Sequence, residues 1–489
     1  MVQMMQLLAE TRDIPAHPQP AEAYFDHPFV APAGLSQLSL RLSYWRAVPD
    51  WDVLLVVFDP DGHRGTFGLN ATPEGPKGDV ELIGQMAGAM PPGKWLAQVW
   101  AGHVNQPLRY TLRVEAANEP PQAAASRVAP AAPDLAYVAR GGPAWYRGEL
   151  HTHTTFSDGV LAPAGLVDEA RSAGTEFMAI SDHNTIDAWP DLAKIPDVCI
   201  IPGLEITTPA GHCNLFGLRR WLDWRVDYRG RTMAEALRDA REQGALVSIN
   251  HPFAPGYSWQ YDTEVALADC MEIVNYPSWW PAATEFNVMA LGLWTSMLNA
   301  GHRLTAVGGS DVFHLPPGAI YKTSPHPEAI LSPATWVYAQ AASALALMDG
   351  LRRGHAYVSM GPRMQFEARA CAQSYQMGEH IAGDGGAVEF DVAMQGMPAG
   401  ARLAFTKNGQ ALTQAHPQGA DVSYRFTDTP DWETGNWYRV DLFNSAGEVW
   451  ALTNPIYVGR PPSPPHETWG QALARARREG MIIQQTIFE

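Results

Sequence analysis

The chain has 489 residues, 46% hydrophobic and 17% charged, which allows more than one domain with a sizeable core and excludes global disorder. Fifty-one acidic against 34 basic residues give a formal net charge of −17. That balance argues against broad binding to nucleic acid or anionic membrane, though not against a small phosphorylated substrate.

Short β runs are expected first. Residues 38–44 and 110–115 alternate apolar and polar side chains, 53–58 is continuously apolar, and Asp59-Pro60-Asp61-Gly62 supplies a turn. Residues 1–140 therefore read as an N-terminal antiparallel β-sandwich or jelly roll followed by an Ala/Pro-rich linker over 117–133. Between 145 and 362 the pattern becomes α/β: apolar strands at 177–180, 246–249 and 304–307 alternate with amphipathic helices at 163–173, 232–243 and 284–299. Such alternation predicts parallel strands. Residues 364–460 return to β runs, with Lys407-Asn408-Gly409 as a hairpin turn, and read as a second sandwich. The tail, 461–489, begins in prolines and holds a short basic helix at 469–478.

The four cysteines, Cys199, Cys213, Cys270 and Cys371, are scattered without a CxxC pair, as expected for buried thiols of a reducing compartment. No apolar run approaches the roughly 18 residues that span a bilayer. The first 20 residues lack a basic start followed by a long apolar run. The expected location is cytoplasmic.

Chemistry concentrates in five clusters: His151-Thr152-His153 with Ser157-Asp158-Gly159, Ser181-Asp182-His183-Asn184, Gly203-Leu204-Glu205 with Gly211-His212, Asn250-His251-Pro252, and Gly309-Ser310-Asp311 with His314. Most follow an apolar strand. In an α/β barrel, ligands at the C-terminal ends of successive strands converge on one mouth, so clusters spread over a long segment can form one site. Imidazole and carboxylate suit borderline and hard divalent ions. Nine candidates, His151, His153, Asp158, His183, Glu205, His212, His251, Asp311 and His314, are too many for one tetrahedral ion and fit two or three ions sharing a carboxylate. Clustered cations activate a bridging water, polarise a phosphoryl or carbonyl oxygen and neutralise a leaving oxygen, so hydrolysis is the expected reaction class. Asp182 should point away from the ions by strand alternation, and Asn250 reads likewise as a strand-end hydrogen bonder, neither being a ligand. Glu272 is a candidate for orienting a ligand histidine. Trp279 and Trp280 could wall a substrate pocket or pack against the N-terminal region.

His-x-His with Ser-Asp-Gly, Ser-Asp-His-Asn-Thr, Pro-Gly-Leu-Glu, Gly-His-x-Asn-Leu, Asn-His-Pro and Gly-Gly-Ser-Asp, in that order over 145–362, resemble the PHP (polymerase and histidinol phosphatase) metallohydrolases. The nearest branch is the carbaryl hydrolase-like (CehA/McbA) one. The resemblance implies a distorted (β/α)7 barrel with two or three divalent ions, Zn, Mn or Fe. His151, His153, Glu205 and Asp311 would hold the first ion. Glu205 would bridge to a second, completed by His212 and His251, and Asp158 and His183 would bind a third with a histidine that follows Asp311. In the family that histidine usually stands in Ser-Asp-x-His. Here Ser310-Asp311-Val312-Phe313-His314 is one residue longer, so a bulge is needed to present His314.

Three functions are compatible with these features. The first is a metal-dependent phosphoesterase acting on small phosphomonoesters or phosphodiesters, with a metal-bridging water held by Glu205, His151, His153, His251 and Asp311. The alternative is a carbamate, ester or amide hydrolase of aryl substrates. The remote one is a non-catalytic metal- or carbohydrate-binding protein. The expected partner is a small-molecule substrate, with no nucleic acid and no membrane; a homo-oligomer is compatible with all three.

Overall fold

A computed structural model describes the chain apart from residues 1–3, 17–22, 47–52, 69–77, 88–89, 103–106, 119–132, 193–194, 196–197, 276–282, 312–331, 371, 384, 461 and 483–489. His314, Trp279 and Trp280, expected at the site, lie outside the described residues.

The first part of the chain forms two four-stranded antiparallel sheets. Strand order is Met5–Ile14, Leu108–Ala117, Gln37–Arg46, Gly78–Ala87 in one and Ala23–Ala31, Gly93–Ala101, Val53–Asp59, Gly62–Gly68 in the other. Alternation sends Leu38, Leu40 and Leu42, and opposite them Leu112, Val114 and Ala116, into one shared core. The run at 53–58 is continuous for a different reason. Val53, Leu55 and Val57 enter that core, whereas Leu54 and Val56 point the other way into the core of the central region. A strand buried on both faces needs no polar side. Trp100 meets Trp224 edge to face across the same contact, with ring centroids 5.8 Å apart.

The central region is mixed α/β. Eight strands lie side by side in the order Thr305–Gly309, Cys270–Asn275, Leu246–Ile249, Gly211–Phe216, Cys199–Thr208, Phe177–Ile180, Arg140–Glu149, Ala334–Ala342. The pairs on either side of Phe177–Ile180 are parallel, as are those on either side of Cys270–Asn275. Two strands depart from the parallel expectation. Gly211–Phe216 runs antiparallel to both its neighbours, because only Pro209 and Ala210 separate it from Cys199–Thr208 and so short a link can make only a hairpin. Ala334–Ala342 is antiparallel to Arg140–Glu149.

The first and last of these strands are joined by a side chain. Thr335 Oγ1 accepts a hydrogen bond from Gly308 N (2.9 Å) and donates one to Gly308 O (2.7 Å). On the far side the sheet runs on through Ala356–Ser359, Val449–Thr453, Asn436–Phe443, Arg402–Lys407 and Gln410–Ala415. A further four-stranded sheet holds Gln373–Gln376, Arg363–Ala370, Val388–Gln395 and Val422–Asp428. Its Phe366 and Phe390 meet Phe405 and Tyr438 of the long sheet in an aromatic core.

The helices are few. Pro163–Ser172 begins on proline at its first turn, and Met233–Glu242 is started by a capping box between Thr232 and Glu235. Each buries an i, i+3, i+4, i+7 stripe: Pro163, Leu166, Val167 and Ala170 in one, Met233, Ala236, Leu237 and Ala240 in the other. Ala283–Asn299, Ala344–Arg352 and Trp469–Arg478 complete the larger ones. Among the described residues no helix is long and apolar enough to cross a membrane.

Candidate metal centre

Eight of the nine expected ligand residues fall within the described part of the chain, and all eight meet at one end of the central strands. Their ligand atoms form four overlapping triads, each with mutual separations under 4.8 Å: His151–His251–Asp311, His151–His153–Glu205, His153–Asp158–His183 and Glu205–His212–His251. Glu205 occupies the middle. Its Oε1 lies 3.3 Å from His151 Nε2, 3.3 Å from His212 Nδ1 and 3.7 Å from His251 Nε2, and its Oε2 lies 3.6 Å from His153 Nε2. Asp311 Oδ1 faces both His151 Nε2 (3.4 Å) and His153 Nε2 (3.2 Å). Asp158 approaches His183 Nε2 at 3.4 Å and His153 Nδ1 at 3.8 Å.

The backbone that presents these groups is unusual. His251 and Asp311 have φ of 25° and 53°, and Asn184, next to His183, has 56°. Non-glycine residues avoid this region, and where they occupy it the surrounding structure must hold them there. Here the holding bonds are visible. His251 N donates to Glu272 Oε2 (2.9 Å), Asp311 N donates to His151 O (3.0 Å), and Asn184 exchanges two bonds with the Thr207 backbone (2.8 and 3.0 Å). Gly309 is required for another reason, since a Cβ there would stand 2.4 Å from the Cβ of His151 and 2.7 Å from Glu272 Oε1.

A second layer fixes the ligands. Glu272 Oε1 lies 3.1 Å from His151 Nδ1, the position expected of an orienting carboxylate. Asn275 Nδ2 donates to Glu272 Oε2 (2.9 Å) and to Asp311 Oδ2 (3.3 Å). Asn250 Nδ2 donates to Glu205 Oε1 (2.8 Å). Asp182 turns from the cluster and accepts from Thr154 N (2.7 Å), Thr154 Oγ1 (2.8 Å) and Ser157 Oγ (2.7 Å), tying down the loop that carries Asp158.

Two supports were not expected from the sequence. Glu149, fully buried, accepts from the backbone N–H of Leu150, His151 and Ser310 (3.0, 3.1 and 3.0 Å), so one carboxylate joins the first and last ligand segments. Its place two residues before His151 was the only available signal. Thr207 hydrogen-bonds His183 Nδ1 through its hydroxyl, and nothing in its sequence context marks it.

Electrostatics follow from burial and crowding. Burial disfavours charge on His151, but Asp311, Glu205 and Glu272 outweigh it and hold its pKa well above the usual imidazole range. His183 behaves alike, with burial overcome by Asp158 and Glu205. Burial would raise the Glu205 carboxyl, yet His151, His183 and His212 hold it well below the ordinary value. Burial dominates at His212 and takes it down to about 4, leaving a neutral imidazole at pH 7. The donor set of buried imidazoles and carboxylates fits divalent ions. His151 Nε2 and Glu205 Oε2 are buried atoms with charged neighbours but no well-aligned hydrogen bond, and both face the cluster.

No protein-family model matches the chain. The uncharacterized protein MJ1587 of Methanocaldococcus jannaschii is 30% identical over 123 residues, which cover 22% of this chain and 69% of that protein. A 5'-3' exoribonuclease of Haemophilus influenzae is 43% identical over 63 residues (12% of this chain, 23% of the other). The 5'-3' exoribonuclease Rnm of Salmonella typhimurium is 34% identical over 116 residues (20% and 40%). The chain therefore spans well under two thirds of either exoribonuclease. Among solved structures, a two-domain protein from Bacteroides vulgatus containing a predicted PHP-like metal-dependent phosphoesterase overlaps 68% of this chain and 100% of its own, at 17% identity and a TM-score of 0.35. An amidohydrolase from Chromobacterium violaceum overlaps 35% and 92%, at 15% identity and a TM-score of 0.23. Overlaps this loose say nothing about activity. The match to MJ1587 is firmer, and by it the chain belongs to the same protein family as MJ1587.

Proposed function

We propose that the chain is a metal-dependent hydrolase of PHP type, a phosphoesterase acting on a small phosphomonoester or phosphodiester. The observation that carries this reading is the position of Glu205, shared by two of the four ligand triads, beside His151, His153 and His251, each shared by two. Overlapping triads of this kind serve ions that lie side by side, not one isolated structural ion. Two or three divalent ions, Zn, Mn or Fe, would supply Lewis acidity towards a phosphoryl oxygen and lower the pKa of a water. His151, His153, Glu205 and Asp311 would hold one, Glu205, His212 and His251 a second, and Asp158 and His183 a third, with His314 as a further ligand there. Glu272 and Asn275 keep His151, His251 and Asp311 in place, and Asn250 keeps Glu205.

The wider organisation belongs to the same proposal: a distorted (β/α)7 barrel over 145–362 between β-sandwiches at 1–140 and 364–460, with the tail at 461–489, in a cytoplasmic protein. Within the PHP group the carbaryl hydrolase-like branch is the nearest by motif. Two relatives are named exoribonucleases, enzymes whose scissile bond is a phosphodiester, and this favours phosphoester over carbamate. A net charge of −17 favours a small phosphoester over a long polyanion.

The test is turnover of p-nitrophenyl phosphate, bis-p-nitrophenyl phosphate and 1-naphthyl methylcarbamate by metal-reconstituted protein. Metal-dependent hydrolysis of a phosphoester is expected. Turnover of the carbamate alone would replace this reading with that of a carbamate hydrolase.

A further inference from the structure

A second site lies at the opposite end of the strand that leads to Asp311. A cavity of about 410 Å³ is lined by Arg303 and Thr305 at the start of that strand, by Arg352 and Arg353 at the end of the Ala344–Arg352 helix, and by His355 and His380. Thr305 and Asp311 are six positions apart, roughly 20 Å of extended chain, so this cavity is distinct from the metal centre. An adjoining cavity of about 280 Å³ shares Arg303, His380 and Tyr457 with it. The combined space suits a small organic ligand.

The cations here are only partly compensated: Arg353 pairs with Asp349, and Arg352 Nη2 donates to a backbone oxygen, Gly244 O (3.5 Å). Among the described residues neither Arg303 nor Arg352 has an ion-pair partner, although acidic residues outnumber basic ones 51 to 34. Arg303 lies over the Tyr457 ring, its guanidinium carbon 4.3 Å from the centroid, and Arg353 reaches only Asp349, at 3.8 Å. Complementing the helix's C-terminal dipole accounts for Arg352 and Arg353 on their own. It does not account for Arg303, which arrives from a separate loop to face the same space. Glu379 is the one carboxylate among the lining residues, and its Oε2 already accepts from Gln376 N (2.9 Å).

We infer that this cavity binds a small phosphate-bearing anion, its oxygens held by the Arg303, Arg352 and Arg353 guanidiniums and its organic portion directed past Tyr457. Guanidinium forks match phosphate oxygens in pairs, which makes three of them around one cavity a selective device.

The probe is inorganic pyrophosphate, titrated calorimetrically into the full chain after its metal has been removed over chelating resin. One saturable site is expected. Arg303→Ala should weaken it roughly 10- to 100-fold, the worth of a charge-assisted contact, and Arg303→Lys, which keeps the charge but loses the fork, should fall between. His153→Ala should leave it unchanged. Absence of saturable binding, equal affinity in Arg303→Ala, or loss of binding in His153→Ala would each overturn the inference, the last by moving the anion to the metal centre.

Discussion

Glu272 and His151 meet through a 3.1 Å contact between Oε1 and Nδ1, which leaves His151 Nε2 facing Glu205 and Asp311. The second oxygen of Glu272 holds the backbone N–H of His251, so one carboxylate sets two ligand histidines at once. Glu272→Gln keeps the shape but not the charge. It should lower metal affinity or turnover by roughly 10- to 100-fold, as is usual for partners that orient metal ligands. Metal competition titration on the purified variant reads this directly, and an affinity equal to that of the parent protein would remove Glu272 from the role.

Removing Glu205 should have a larger effect than removing any orienting group. It stands in two ligand triads, so Glu205→Gln should release at least one ion per chain and reduce turnover by more than the roughly 100-fold upper end seen for orienting residues. Elemental analysis together with phosphoesterase rates tests this. Full metal content in the variant would show that Glu205 bridges nothing.

Proton release should accompany metal binding. In the metal-free protein burial opposes charge on His151 and His183, but neighbouring carboxylates keep both pKa values well above the ordinary 6.5. A raised histidine contributes stability that is complete below the unfolded pKa and is lost as pH climbs through the folded value. The lowered Glu205, held down against burial by His151, His183 and His212, contributes above the ordinary carboxylate pKa and loses that contribution as pH falls. The metal-free chain should therefore lose thermal stability as pH rises above about 6.5. Metal ligands must be deprotonated, so ions added at pH 7 displace these protons. Binding enthalpies measured in buffers of different ionisation enthalpy should differ accordingly. Identical enthalpies across buffers would contradict the charged state assigned to His151 and His183.

The ligand clusters were legible because each is contiguous: a His-x-His or an Asn-His-Pro carries its meaning within three residues. The strands at 177–180 and 246–249 and the helix at 469–478 were also legible, since apolar periodicity is local. Contacts across the fold were not. Glu272 lies 121 positions from His151, and Glu149 lies 161 positions from Ser310. Only strand order and register bring such pairs together, and no local pattern encodes them. The reversal of Gly211–Phe216 was in principle readable from the two-residue link before it, but the expectation of parallel strands overrode that signal.

Among the described residues Thr305–Gly309 and Ala334–Ala342 share no ladder pairing, and Thr335 Oγ1 serves both backbone polar groups of Gly308 instead. Thr335 is fully buried, so no solvent stands ready to take over either bond. Thr335→Val preserves the side chain's shape and removes the hydroxyl, leaving a buried N–H and a buried C=O unsatisfied. Each such group costs about 1–3 kcal/mol, so the variant should be destabilised by roughly 2–6 kcal/mol. Thr335→Ser, which retains the hydroxyl, should keep most of the stability. Urea unfolding compares the three proteins, and hydrogen exchange at the Gly308 amide localises the effect. Asp311 lies three residues beyond Gly308, so loosening this seam should also raise the metal dissociation constant while the ligands themselves stay intact. A Thr335→Val protein within about 0.5 kcal/mol of the parent, the range of neutral surface changes, would show that the two strands are held together by packing and not by this hydroxyl.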